Sequence, residues 1–513
     1  MGHPLGQSSS IGRRNCVEIA SKLRWLGLAT SVSGADFYTQ SADCEILILV
    51  PLPSAAARLD RLPIGSFHRR ILVLVGAGMF LENFDATLQG GVLGALTSSG
   101  WSNLNSNAAF ISATFLGMFV GSFAAGVLGD RYGRRFSYQL NLLIIGITSL
   151  AAAFVPSMPW LIGLRLVMGL GLGAEIVIGY STMSEFVPPQ LRGRWIGYLA
   201  FITNTAVAAS ALVGYFAIPT IGWRAMFALA GAGALIVWHA RKAMPESPRW
   251  LEAKGHLEEA DRIITRIETE MGEALPELPP LRELRVSTAK PVSIGVLFTR
   301  SVVRRTLIGS LTTVTANVVL YGFLSWLPTF LVIQKLGVAS SLRYTMLMSF
   351  GAPLGPLIGA FVADRAGRRV GLAASSILAA AVGGAYALAP TMTAATIAGF
   401  FLFLVTYLVA TLGLVSYVPE LFPTEYRLRG AGFCIAVGRM SAMLTPYGVV
   451  WAYTRGGVSL ILALLGGLLL VQAIIVAVFG ISTERRSLED LSPEFRTVDH
   501  HDANPAQADR AMT

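Results

Sequence analysis

The chain has 513 residues, of which 53% are apolar and only 14% are charged, with a formal net charge of +10. Soluble domains carry about 25% charged residues, so a chain assembled from ordinary soluble domains is excluded. The charges are gathered in short clusters between long apolar stretches, and stretches of about 20 residues are what spanning helices require.

Residues 1–65 come first and are mixed in composition. The apolar run 46–49 is too short to cross a bilayer, and no apolar core with a cleavage site precedes the first span. This part reads as a disordered cytoplasmic extension, or as a start placed upstream of the native one. Spans are expected at 71–95, 108–129, 136–155, 159–184, 195–218 and 222–243. After a cytoplasmic central loop, 244–302, they resume at 303–331, 344–363, 370–389, 394–418, 430–453 and 457–481. The expected fold is an all-α membrane protein, with twelve transmembrane helices in two six-helix pseudo-symmetric halves (66–243 and 303–482). A polar tail, 483–513, follows.

Lys and Arg set the orientation. Arg131, Arg134, Arg135, Arg192, Arg194, Arg365, Arg368, Arg369, Arg427 and Arg429 all fall in the connections that leave even-numbered spans, and the segment 241–305 adds Arg241, Lys242, Arg249 and Lys254. The opposite connections hold little beyond Arg224, Lys335, Arg343 and Arg455. Both termini are therefore expected in the cytoplasm, and the lipid bilayer, not a nucleic acid, accounts for the positive charge. Three Cys and six scattered His offer neither a disulfide framework nor a metal spacing. The Gly-rich run 169–173 follows no strand and so is no nucleotide loop, and no cofactor is implied.

Two signatures recur. Gly126-Val-Leu-Gly-Asp130-Arg131-Tyr-Gly133-Arg134-Arg135 follows the second span, and Ala360-Phe-Val-Ala-Asp364-Arg365-Ala-Gly367-Arg368-Arg369 follows the eighth. Glu185-Phe-Val-Pro188 with Arg192 follows the fourth, and Glu420-Leu-Phe-Pro423 with Arg427 follows the tenth. The offsets, 364 − 130 = 234 and 420 − 185 = 235, nearly coincide, so the halves are copies of one six-helix unit. Such repeats typify transporters that bind substrate between halves near the bilayer midplane. Asp, Glu and Arg at these helix ends can pair when the halves close on the cytoplasmic side and part when they open.

These signatures resemble those of the major facilitator superfamily, in its sugar-porter-related branch. The resemblance covers about 65–491 and is strengthened by Pro245-Glu246-Ser247-Pro248-Arg249-Trp250-Leu251 and by Pro419-Glu420-Leu421-Phe422-Pro423-Thr424-Glu425. It implies an alternating-access transporter, with gating at the residues just named, a small-molecule substrate, and function as a monomer. The sugar pattern is broken in the seventh span, where Leu311-Thr312-Thr313-Val314-Thr315-Ala316-Asn317 replaces the family's Gln donors. Asn317 and Tyr321 are kept. Glu82-Asn-Phe-Asp85 and Gly438-Arg439 instead resemble bacterial metabolite:proton symporters of the nicotinate and aromatic-acid kind.

Ionisable residues inside spans are costly and mark function by default. With a rise of 1.5 Å per residue, Asp85 lies about 22 Å from the cytoplasmic side and Arg165 about 9 Å from the other, which places them level in a core about 30 Å thick. Two readings of an Asp85–Arg165 pair stand open: a permanent structural bond, or a bond that protonation of Asp85 releases. Glu82 lies one turn from Asp85 and modulates it, while Glu175 is a proton relay or a packing acid. Arg439, about 13 Å deep, requires an anion, which a substrate carboxylate, Glu82 or a loop carbonyl could supply. Phe84, Tyr321, Trp326 and Tyr407 are expected to line the cavity as substrate contacts or as ordinary packing.

The resulting expectation is proton-coupled uptake of a small organic carboxylate, such as an aromatic acid or a nicotinate-like metabolite, across a bacterial inner membrane. A sugar:proton symporter is the nearest alternative, followed by a drug:proton antiporter or a membrane sensor that does not transport. An enzyme is not expected, because no nucleophile–base or metal constellation appears.

Overall fold

A computed structural model describes residues 47–48, 55–271, 284–285, 294–300, 302–365, 367–422 and 427–481. Its first half contains α1 (Ser66–Ser98), α2 (Leu104–Tyr132), α3 (Arg134–Ala152), α4 (Met158–Phe186), α5 (Pro189–Thr220) and α6 (Arg224–Ala240). The second contains α7 (Val303–Ile333), α8 (Val338–Ser349 and Leu354–Arg365), α9 (Arg368–Ala387) and α10 (Met392–Glu420). A final helix, Arg427–Phe479, leaves helical geometry at Gly456 and Gly457 and so divides into α11 (427–455) and α12 (458–479).

Eight of the described helices are long and apolar enough to cross a membrane, the α11–α12 pair counting as one. The others have local reasons to fall short. Arg134, Arg135, Gln139 and Asn141 make α3 polar at one end, α6 has 17 residues, and α8 is interrupted at 350–353. Together they form the expected bundle of twelve.

Helix ends follow residue chemistry. Asn103 and Ser106 exchange backbone hydrogen bonds at the start of α2, both 2.9 Å, so that two otherwise orphaned N–H groups are satisfied. Between α2 and α3, and again between α8 and α9, the chain turns at Gly133 (φ 93°) and Gly367 (φ 75°), a backbone region that side chains with a Cβ rarely adopt. The duplicated signatures thus encode the same turn twice. Inside the bundle, Gly117 and Gly121 let α2 lie against the α4 backbone at Leu166, Gly169 and Leu170. Gly351 and Gly355 do the same for α8 against α10. Such contacts drive association where lipid removes the hydrophobic incentive.

The halves meet along α2 and α11, where Ser112 Oγ donates to the Met443 carbonyl at 2.7 Å, and at Phe115 and Tyr321, whose ring centroids are 4.3 Å apart. They also close at the end remote from the Arg clusters. There Gly90 and Gly94 bring α1 onto Ser325 and Pro328 of α7, and Gly91 approaches Leu342 of α8. At the Arg-rich end, among the described residues, no hydrogen bond or ion pair joins the two halves. The contacts that close the halves on one another thus lie at the end remote from the Arg clusters.

The extension was expected to be disordered through residue 65, and its last part is not. A short helix, Ala55–Asp60, docks on the central loop, which itself forms helices Pro248–Ala253 and Leu257–Met271. Arg58 contacts Asp261 at 2.5 Å and Glu268 at 2.6 Å, Arg61 contacts Glu268 at 2.7 Å, and Asp60 contacts Arg249 at 2.5 Å. Leu59 and Leu62 are buried with Phe67, Phe186 and Ile267. Sequence composition missed this because the partners are some 200 residues apart.

Candidate functional site

Residues 78, 82 and 85 lie on one face of α1, three and four positions apart. At the outermost level is Asp85. Arg165 Nη1 lies 2.5 Å from its Oδ2, Arg165 Nη2 donates to its carbonyl at 2.9 Å, and Ser149 Oγ donates to Oδ1 at 2.8 Å. Both charged side chains are 0% exposed. Phe110 and Phe227 cover the guanidinium, with ring centroids at 4.8 and 5.7 Å. The depth argument put these residues at one level, and the structure joins them. Ser149 and the two aromatic faces were not foreseen, because nothing in a run of apolar and hydroxyl residues singles them out.

At the innermost level Glu175 and Arg241 form a second buried pair, Oε1 to Nη1 2.6 Å, close but off the hydrogen-bond axis. Arg241 also donates to the carbonyls of Leu74 and Val75, both at 2.8 Å, and stacks 4.4 Å from the Tyr138 ring. Gly78 leaves the space they fill, since a Cβ there would strike both side chains. Arg241 had been assigned to the cytoplasmic basic cluster. That is corrected: it is 1% exposed and reaches back into the half, a direction its position at the end of α6 leaves open.

Glu82 sits between these pairs. It is 2% exposed, its Oε2 has no hydrogen-bond partner, and among the described residues it forms no ion pair. Its electrostatic neighbours are Glu175, Arg439 and Asp85. Arg439 reaches from α11, in the other half. It is half-buried, and its one hydrogen-bond contact among the described residues is the Met118 sulfur at 3.7 Å. Tyr321 lies within electrostatic reach of both Glu82 and Arg439, and Tyr407 within reach of Tyr321. Asn317, on α7, donates to the Thr313 carbonyl at 2.8 Å and packs where Gly438 leaves room beside Arg439. Glu82, Tyr321, Tyr407, Asn317 and Arg439 thus converge between the halves.

Two predicted site residues do not join them. Trp326 is 1% exposed and stacks on Phe330 at 6.0 Å, which stacks on Tyr453 at 5.3 Å. It belongs to the closed end. Phe84 is buried and stacks on Phe80 at 6.4 Å. Both rings pack on other aromatic faces, and for Trp326 this leaves Nε1 buried without a hydrogen-bond partner.

The residues expected to gate occupy the Arg-rich end. Arg134 lies 2.9 Å from Glu185 and 3.4 Å from Asp130, and Arg368 lies 2.7 Å from Glu420. The first and third contacts are counterparts in the two halves. Glu246 accepts backbone N–H groups of Arg134 (2.9 Å) and Arg135 (3.2 Å), which caps the start of α3. Burial pushes its carboxyl up, and the N–H groups of Ser247, Arg134 and Arg135 offset part of that rise. Arg249 donates to the Glu185 carbonyl at 2.9 Å and so links Asp60 to the same cluster. Arg131 lies over the Tyr132 ring, Arg365 is exposed, and Arg192 is partly buried. The side chains of Asp364 and Arg427 lie outside the described residues.

Similarity to known proteins agrees with this layout. The sugar (and other) transporter family model matches residues 71–495. The inner membrane metabolite transport protein YdjE of Escherichia coli is 39% identical over 441 residues, covering 85% of this chain and 98% of that protein. The niacin transporter NiaP of Acinetobacter baylyi is 30% identical over 438 residues, covering 85% and 99%. Among solved structures, a D-xylose-proton symporter shares the fold with a TM-score of 0.63 at 17% identity, covering 82% of this chain and all of that one. A duplicated six-helix unit, twin ion pairs at its repeated signatures and a family match over most of the length leave one assignment: the chain belongs to the sugar (and other) transporter family of the major facilitator superfamily, and is a multi-pass membrane transporter and not an enzyme.

Proposed function

We propose that the protein is a proton-coupled symporter that takes up a small organic carboxylate, such as an aromatic acid or a nicotinate-like metabolite, by alternating access across a bacterial inner membrane. It works as a monomer with both termini in the cytoplasm. The observation that carries this reading is Arg439. It is a permanent cation between the halves, half-buried, with a methionine sulfur as its contact and no anion within ion-pair distance among the described residues. A guanidinium cannot discharge itself, and it offers a carboxylate a bidentate, charge-assisted bond. A sugar would gain far less from it.

Support also comes from relatives whose names describe metabolite and niacin transport and from a fold shared with a proton symporter. The buried acids on the α1 face provide for the proton, and the Arg134–Glu185 and Arg368–Glu420 pairs provide for gating at the cytoplasmic end. The family's sugar substrates define the rival reading, which the lack of Gln donors in α7 opposes.

The test is uptake into proteoliposomes with an imposed pH gradient, using nicotinate, benzoate, 4-hydroxybenzoate, their amides, xylose and glucose. Gradient-driven accumulation of an acid and not of its amide is expected. Arg439→Lys should weaken it about tenfold or more, and Arg439→Ala should nearly abolish it, given about 1.5–3 kcal/mol for a hydrogen bond to a charged group. Accumulation of a sugar and of no acid would replace this reading with the sugar one.

A further inference from the structure

A guanidinium grips a carboxylate through two parallel N–H···O bonds, and both align only when the arginine is rooted in the right place. The contact that Arg439 itself makes, the Met118 sulfur at 3.7 Å, is with a weak acceptor and gives it little direction. Its root is fixed by the neighbouring helix. Positions 309, 313 and 317 of α7, four residues apart, form one stripe, and that stripe faces α11. Thr313 Oγ1 lies 2.6 Å from the Cys434 carbonyl oxygen and 2.9 Å from that of Ser310, and a Cβ on Gly309 would lie 2.8 Å from the Cys434 sulfur. One turn further along α11, Gly438 is pressed onto the same stripe. A Cβ there would lie 2.8 Å from Asn317 Nδ2, 2.9 Å from Thr313 Cβ and 3.0 Å from the Thr313 carbonyl oxygen. Arg439 is the next residue.

We propose that Thr313 and Asn317 are positioning residues, which hold α11 against α7 at Cys434 and Gly438 and so set the place from which Arg439 meets the substrate carboxylate. This rests on the carboxylate reading above and adds two residues that act through Arg439. The Asn317 amide is committed to the seat. Its Nδ2 donates to the Thr313 carbonyl at 2.8 Å, four residues back on its own helix, which lays the side chain along α7 with the nitrogen beside Gly438. Thr313 is fully buried, and Asn317 is buried as well. The Thr313 hydroxyl reaches across to the α11 backbone, and glycine at 438 removes the side chain that would hold the helices apart.

A methyl group at 438 has no easy escape. Asn317 could swing aside only by giving up its bond to Thr313, whereas Thr313 Cβ and the Thr313 carbonyl move only with the α7 backbone. Gly438→Ala therefore pushes α11 off α7 and carries the root of Arg439 with it. A fork that needs two aligned bonds suffers from such a shift. A lysine ammonium, a point charge on a flexible stem with three rotatable donors, adapts to it. The seat thus matters to an arginine at 439 and hardly at all to a lysine, a difference that a purely structural role of the α7–α11 contact does not produce.

Calorimetry of purified full-length protein in detergent reads the affinity for nicotinate, benzoate and 4-hydroxybenzoate in a double-mutant cycle. With Arg439 present, Gly438→Ala, Thr313→Val and Asn317→Ala should each weaken binding of the acid at least about fivefold, whereas Thr313→Ser, which keeps the hydroxyl, should stay within about twofold. Combined with Arg439→Lys, the same three substitutions should cost no more than about a further factor of two. Thr313→Val and Asn317→Ala introduce no overlap and carry the test should Gly438→Ala fail to fold. Equal losses in the wild-type and Arg439→Lys backgrounds overturn the proposal, and for Asn317 they mark a direct bond to substrate. Unchanged affinity in the single variants overturns it too and leaves the carboxylate reading standing. A wild type that binds none of the acids, or an Arg439→Lys protein that binds them as the wild type does, ends the carboxylate reading and the positioning role with it.

Discussion

The Asp85 carboxylate accepts hydrogen bonds from Arg165 and Ser149, whereas Glu82, one turn away, accepts almost none. The contrast is between an acid held by a set of partners and one left with almost none. Removing one partner of a buried ion pair costs about 3–5 kcal/mol, because the other charge stays behind unpaired. Asp85→Ala should therefore lower the thermal midpoint sharply, and the double substitution Asp85→Ala with Arg165→Met should recover most of the loss. Thermal unfolding of the three proteins in one detergent measures this. A double variant no more stable than the single one would show that the pair is not the source of the effect. Transport by the recovered double variant then asks whether coupling survives without Asp85.

At the level of helices and turns, the duplicated signatures show a division of labour between backbone and side chain. Gly133 adopts a positive φ, and a Cβ there would also press on the Glu246 carboxylate that caps α3. Gly133→Ala should cost about 1–2 kcal/mol from the backbone term alone. Gly163→Ala, which meets nothing within 4 Å at a helical position, should be neutral or slightly stabilising. Unfolding midpoints of the two variants compare the cases directly. Arg134→Ala removes the bond to Glu185 at a place remote from Arg439. It should slow uptake at least tenfold while leaving the dissociation constant of a bound acid within about a factor of two, since a 1.4 kcal/mol change in a barrier is tenfold in rate. Equal losses in both would make Arg134 a binding residue.

For the molecule as a whole, the closed end and the docked extension each make a claim. A Cβ on Gly94 would lie 3.3 Å from the Pro328 Cβ, close to the separation a disulfide needs. The variant with Gly94→Cys and Pro328→Cys should cross-link under oxidation and lose transport, and a reductant should restore it, because the bond holds the molecule in one of its two states. The extension is held by charge. Burial pushes the Glu268 carboxyl up, but hydrogen bonds from Arg58 and Arg61 outweigh this and set it below its ordinary value. A depressed carboxylate contributes stability above its unfolded value and loses it as pH falls through the folded one. Acidification below about pH 4, the range of carboxylate titration, should raise hydrogen exchange over residues 55–62 before the membrane helices respond. Deletion of residues 2–54 should leave transport intact, whereas deletion through residue 64 removes Asp60 from Arg249 and uncovers the central loop, and should lower the thermal midpoint by several degrees.

The chain's sequence by itself determined the class and the repeat. Spanning helices were legible because lipid forces each to satisfy its own backbone and to stay apolar over about 20 residues, a local demand written into consecutive positions. The twin signatures were legible because a turn between adjacent helices needs Gly and charge at fixed spacing. The Asp85–Arg165 level could be estimated because helix rise converts sequence number into depth. Only the tertiary structure decided which acid is paired and which is bare. That outcome depends on Ser149, Arg241 and Arg439, which come from three other helices and have no spacing relation to Glu82. It also decided that Trp326 packs away from the site, that Arg241 turns inward, and that Arg58 and Asp60 find partners some 200 residues along the chain. Each of these is a choice between two environments for the same side chain, and the energy that settles it belongs to the neighbours brought there by the fold.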